Sequence, residues 1–396
     1  MPKIFRSSLL VLCACLVAFT SCDRTEDERN DLKDQIVANY AAMVYANYQD
    51  ALEGAQTLDV ALEAFVASPS EATLTAAKNA WLASREPYGV TEAYRFGEGP
   101  IDDADGPEGL MNAWPLDEAY IDYVSGNANV GIVNNTAITI DMPTLESLNE
   151  VGAEENVSIG FHAIEFLLWG QDDPNTALLT PGQRPFTDFV TGANGTAANQ
   201  DRRGAYLLVC GDLLIKHLQS LVDEWNPNGG AYYATFTALD RDEAIRRMLT
   251  GIGILSKSEL AGERIFTALD NADQEDEHSC FADNTHRDIV TNAIGIRNVY
   301  LGLYTRTNNT VVSGPSLRDL ANDIDATLNA DLEALLNSAV AATEAIPVPF
   351  DFGLTQEAVG GSGPIQSSVT ALQAAGDKIA EVASAMGITI STDLPE

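Results

Sequence analysis

The chain is short of positive charge. Its 396 residues carry 22 lysines and arginines against 58 aspartates and glutamates, a formal charge of −36. That balance argues against a nucleic-acid partner, which needs basic patches. It suits a cationic ligand, although acidic faces more often serve solubility alone. Cysteine is scarce: beyond Cys22 only Cys210 and Cys280 remain, with no CxxC and no zinc-finger cluster. Those two either pair in an oxidising compartment or stay as buried thiols, and their spacing does not decide. Histidine occurs four times. There is no HExxH, no GxSxG and no P-loop, so the common sequence-local hydrolase and nucleotide signatures are missing. No run after Phe19 reads as long enough to span a bilayer. No strand–helix alternation and no convincing β-hairpin is visible.

What is present begins with a leader. Lys3 and Arg6 precede an apolar run from Leu9 to Phe19, then Thr20-Ser21-Cys22. Residues 1–21 therefore read as a secretory signal, and the small residue before Cys22 resembles a bacterial lipobox. Cys22 is the expected lipidation site, with the polar stretch 22–34 as a tether and the bacterial cell envelope, periplasmic or surface-exposed, as the location.

Helical periodicity fills most of the remainder. Ile36, Tyr40, Met43, Val44, Leu58 and Leu62 mark a helix over about 31–67. Ser70 is a candidate N-cap for the next, which Pro87 should kink or interrupt. Further helices are expected over about 200–225, 240–269, 284–304, 317–345 and 365–386. The loops 97–115 and 172–198 are rich in glycine and proline. Loops of such length are more often functional than idle. The fold expected is all-α: two helical bundles packed together, 35–195 and 196–396.

The stretch Ser158–Gly170 is the most informative. It is apolar on almost every side, as a buried helix would be, yet holds His162 and Glu165 three residues apart on one face. An unpaired buried carboxylate is very costly, so a metal, a cation or a donor set must meet it. The bland alternative is a satisfied core pair. Gly160 would let another backbone approach closely. Arg85, Tyr88 and Glu92 would share a helical face and could bring a carboxylate with an arginine and a phenol beside it. Glu259 and Glu263 form a second stripe, with a solvated face as the plain alternative. Asp283 or Asn284 should cap a helix. His278 and His286 could be ligands, with exposed loop histidines as the plainer alternative, and His217 carries no signal.

At these residues the chain resembles the imelysin family, also called iron-regulated protein A-like. Gly160-Phe-His162-Ala-Ile-Glu165 has the form of the family's GxHxxE hallmark. Trp81…Arg85…Tyr88…Glu92…Arg95-Phe96-Gly97 with Gly99-Pro-Ile-Asp102, then Gly251–Arg264, then His278-Ser-Cys-Phe-Ala-Asp-Asn-Thr285 resemble its other blocks, in order. The resemblance runs from about Asp31 to the C-terminus. It implies two helical bundles with the motif near their interface, and an envelope protein associated with iron uptake. It also carries a metallopeptidase classification and a link to iron or haem.

Three functions follow as expectations. The first is binding of iron, another metal or haem, with His162, Glu165 and Glu92 as ligands and Arg85, Tyr88, Gly160, Glu259 and Asp283 around them. Membrane attachment at Cys22 and iron-uptake components as partners belong to this reading. The second is a metallopeptidase, in which a ligating Glu165 would not be free to move protons. The third is a partner-binding protein whose motif is a structural polar network.

Overall fold

A computed structural model describes residues 24–172 and 180–394 of the chain. Cys22, the expected lipidation site, lies outside the described residues. The fold is almost wholly helical: α1 (Glu26–Ala67), α2 (Glu71–Thr91), α3 (Glu108–Met111), α4 (Glu118–Ile121), α5 (Met142–Leu148), α6 (Phe161–Trp169), α7 (Gln200–Glu224), α8 (Ala231–Thr237), α9 (Arg241–Ile254), α10 (Thr267–Asn271), α11 (Thr285–Leu301), α12 (Leu317–Ile324), α13 (Ala326–Glu344), α14 (Phe350–Gln356) and α15 (Pro364–Ala385). One hairpin, β1 (Leu303–Thr305) with β2 (Val311–Ser313), departs from the strand-free expectation. It is three residues a side, too short for an alternating pattern to register in sequence.

The long helix α1 organises the molecule. Its 42 residues start at a capping box, in which the Thr25 hydroxyl accepts from the Glu28 N–H and the Glu28 carboxylate accepts from the Thr25 N–H. Helix thus begins well inside the stretch read as a tether. At 1.5 Å per residue α1 spans ~60 Å. It packs against α2 and α7 along much of its length, and also meets α9, α12 and the hairpin. One continuous apolar core runs from Leu32 to Ile388. Packing also crosses the sequence point near residue 195, since α7 lies along α1 and touches α5 and α6. Its Arg203, fully buried, grips Asp122 with two donors at 2.6 and 2.9 Å. Among the described residues α7 is the one helix long and apolar enough to cross a membrane, which the sequence reading did not register. It is a core helix: Leu207, Leu214, Leu218 and Leu221 are buried.

Three local departures have physical causes. Pro87 sits inside α2 without interrupting it, because that stretch is buried and packed on α1 and α11. Asp325 splits the expected 317–345 helix, taking an extended conformation and capping α13 through the N–H groups of Thr327 and Leu328. The expected 240–269 helix is continuous, but residues Leu255–Phe266 are wound as a π-helix. Such widening is rare and favours functional sites. It aligns residues five apart, so Arg264 Nε donates to Glu259 Oε1 at 3.0 Å.

Candidate functional site

The helix α6 is buried at all nine positions. Gly160 precedes it at φ +90°, and a Cβ there would come within 2.6 Å of the Met111 carbonyl oxygen. This close approach brings the 107–115 loop, with Asn112 and Trp114, against the start of α6. Gly170 closes the helix at φ +74°.

His162 and Glu165 are paired, with Nδ1 and Oε2 2.8 Å apart and both side chains sealed from solvent. The other Glu165 oxygen accepts from the Ala282 N–H at 2.9 Å. That amide belongs to a turn held by Ser279 and Asp283, both left-handed, at φ +80° and +54°. Burial, then the neighbouring His278, Arg85 and Arg264, hold the His162 imidazole well below its ordinary pKa. Burial holds Glu165 well above its own, with Arg85 opposing. The pair therefore resists net charge on either member. His162 Nε2 is buried and has no hydrogen-bond partner. Both Glu165 oxygens are engaged, so in a metallopeptidase the carboxylate that takes a proton from water would have to come from elsewhere.

Arg85 and Glu92 do not converge on this pair as a stripe. Arg85 donates to both oxygens of Asp288, at 3.1 and 3.0 Å, and to Asn112 Oδ1 at 2.6 Å. Its guanidinium lies over the Phe161 and Tyr88 rings, and the Tyr88 hydroxyl is buried without a partner. Glu92, expected as a metal ligand, is instead taken by Arg264 at 2.6 Å and Arg95 at 3.4 Å. Burial opposes its charge, but those guanidiniums bring its carboxyl down to about 2. The structure thus joins His162 to Glu165 and assigns Glu92 to an arginine network. Among the described residues no three His, Cys, Asp or Glu side chains gather as a complete metal set. Glu259 is on the arginine side too, bonded to Arg264. Asp283 serves the turn, half-buried, its carboxyl pushed by burial up to about 7. Cys210 and Cys280 are separate buried thiols.

His278 corrects the plainer expectation. It is 7% exposed, and its ring meets that of His162 at 4.6 Å between centroids. Trp114 stacks edgewise on both histidines, at 4.9 and 6.1 Å. A cavity of about 430 Å³ opens beside Trp114 and His278. Six carboxylates, Glu108, Glu150, Glu154, Glu259, Glu263 and Asp276, line it with only two cations, Arg95 and Arg264. Burial pushes Glu108 up to about 7 despite Arg95. Sequence reasoning missed Asn112, Trp114 and Asp288. The long 97–115 loop was the signal for the first two. Asp288, one turn into α11, offered none.

The chain is thus a mostly helical protein with a buried histidine–carboxylate pair close to an acidic cavity. Residues 44–380 match the imelysin (peptidase M75) family model, and the chain belongs to the imelysin family. It is 24% identical over 371 residues to iron-regulated protein A of Synechococcus elongatus, covering 91% of this chain and 88% of that protein. Its fold matches that of a protein from Parabacteroides distasonis provisionally named an iron-regulated protein A precursor. The TM-score is 0.68 at 20% identity, over 90% of this chain and 95% of the other. An imelysin-like protein from Psychrobacter arcticum matches with a TM-score of 0.64 at 14% identity, over 91% and 98%.

Proposed function

We propose that this is an exported envelope protein of bacterial iron acquisition that binds iron at the His162–Glu165 pair. The observation that carries the reading is the buried, unpartnered Nε2 of His162, on a ring whose Nδ1 is held by a carboxylate. Metal-bound imidazoles have that outer partner, which fixes the tautomer and makes the free nitrogen a better donor. The residues therefore fit a metal with His162 as ligand and Glu165 orienting it. The relatives' names tie the family to iron, and a name with "precursor" in it agrees with export. The acidic cavity suits iron as a cation better than haem, whose propionates are anionic.

The test is full-length protein isolated without added metal, then loaded anaerobically with ferrous iron. Elemental analysis and absorption spectra should show bound iron in wild type and its loss in His162→Ala and His162→Gln. Iron content unchanged in both folded variants would overturn the reading, and a Soret band in place of free metal would make the cargo haem. Attachment through Cys22 is read by labelled fatty-acid incorporation, which Cys22→Ser should abolish.

A further inference from the structure

Two buried histidines, not one, meet beside the cavity, which His278 lines. Glu165 holds His162 Nδ1 at 2.8 Å, whereas the Asp288 oxygen beside His278 Nδ1 is 3.8 Å away, beyond hydrogen-bond reach. Asp288 is fixed in turn by Arg85 and by the Ser279 hydroxyl. Both imidazoles are more than nine-tenths buried. His162 Nε2, His278 Nδ1 and the Trp114 indole N–H all lack partners. Buried polar atoms are nearly always satisfied, so two orphan imidazole nitrogens on touching rings call for an explanation.

We propose that His278 is a second imidazole ligand to the same ion, making the site a two-nitrogen seat for a borderline divalent cation. This rests on His162 being a ligand. The unpartnered Nδ1 of His278, like the unpartnered Nε2 of His162, is the nitrogen available to the ion. The spacing is right. An ion ~2.1 Å from a nitrogen of each ring lies ~3.2 Å from each centroid, so rings 4.6 Å apart subtend roughly a right angle at it. Two imidazoles suit ferrous iron, copper, nickel and zinc better than a hard ferric ion, which prefers oxygen. Since no third protein ligand joins them among the described residues, the other positions fall to water or to groups carried by the cargo. An incomplete shell exchanges its metal readily, which fits transfer rather than storage. The carboxylate-lined cavity beside His278 concentrates cations at the entrance.

Copper(II) is the probe, because it reports its nitrogen ligands directly. One equivalent is added to the full-length protein, and pulsed paramagnetic resonance counts coupled imidazoles while calorimetry gives the affinity. Two imidazoles are expected in wild type and one in His278→Phe, a variant that keeps the ring packing against Trp114. The affinity loss should exceed the ~10–100-fold typical of losing an outer partner. A single imidazole in wild type, with spectrum and affinity unchanged in His278→Phe but lost in His162→Phe, would overturn this inference and leave the iron-site reading standing. Binding retained in His162→Phe would remove both. The double variant supplies the background from surface carboxylates.

Discussion

A carboxylate's role here is set by its partners rather than by its place in a motif. Glu92 looked like a ligand because it shares a helical face with Arg85 and Tyr88. Arg264, 172 residues away, claims it, and nothing in local spacing announces so distant a guanidinium. His162 and Glu165 were legible because a charge inside an apolar helix has few tolerable explanations, whereas His278 sits in a polar turn where exposure is the ordinary outcome. The ionisation of these groups gives opposite pH dependences. Glu92, held at about 2 against 4.5, favours the charged form in the folded chain. Its stabilisation is complete above about 4.5 and fades as pH falls towards 2. Glu108, pushed up to about 7, disfavours its charge, so its effect lowers stability as pH rises from about 4.5 to 7. Urea denaturation across pH 3–8 should show Glu108→Gln flattening the neutral limb and Glu92→Gln flattening the acid limb. At pH 7, Glu92→Gln should also cost about 3 kcal/mol, as expected for breaking a buried pair. Burial raises both thiol pKa values. Cys210 and Cys280 should therefore stay inert to a thiol reagent until the chain is denatured.

Among the elements, α6 was readable almost residue by residue. The apolar run, the leading glycine and the closing glycine all have one structural consequence each. Gly160→Ala should destabilise by about 2–4 kcal/mol, since it combines a left-handed φ with a contact against backbone that cannot swing aside. Chemical denaturation measures it, and on the proposed iron site weaker uptake of added iron should accompany it because the Trp114 loop is displaced. The π-wound stretch was not readable. Its apolar positions fit an ordinary helix about as well, and only the Glu259–Arg264 bond reveals the wider turn. The break at Asp325 was overlooked for a different reason: aspartate is tolerated within helices and acts as a cap only when the chain there turns extended.

At the scale of the whole molecule, the all-α class followed from periodicity, but which helices pack together did not. Helix–helix neighbours far apart in sequence leave no local trace. Because α7 completes the packing around α1 and α6, a fragment ending at residue 195 should lack a cooperative thermal transition by circular dichroism. The intact chain should instead melt in one step at every probe. The Ala282 amide reaches Glu165 across 117 residues of chain. A contact of such long range closes late, after the helices and their local pairings have formed. Upon dilution from denaturant, far-ultraviolet ellipticity should recover before the proposed iron uptake does, so that the ability to take up added iron would mark chains whose assembly is finished.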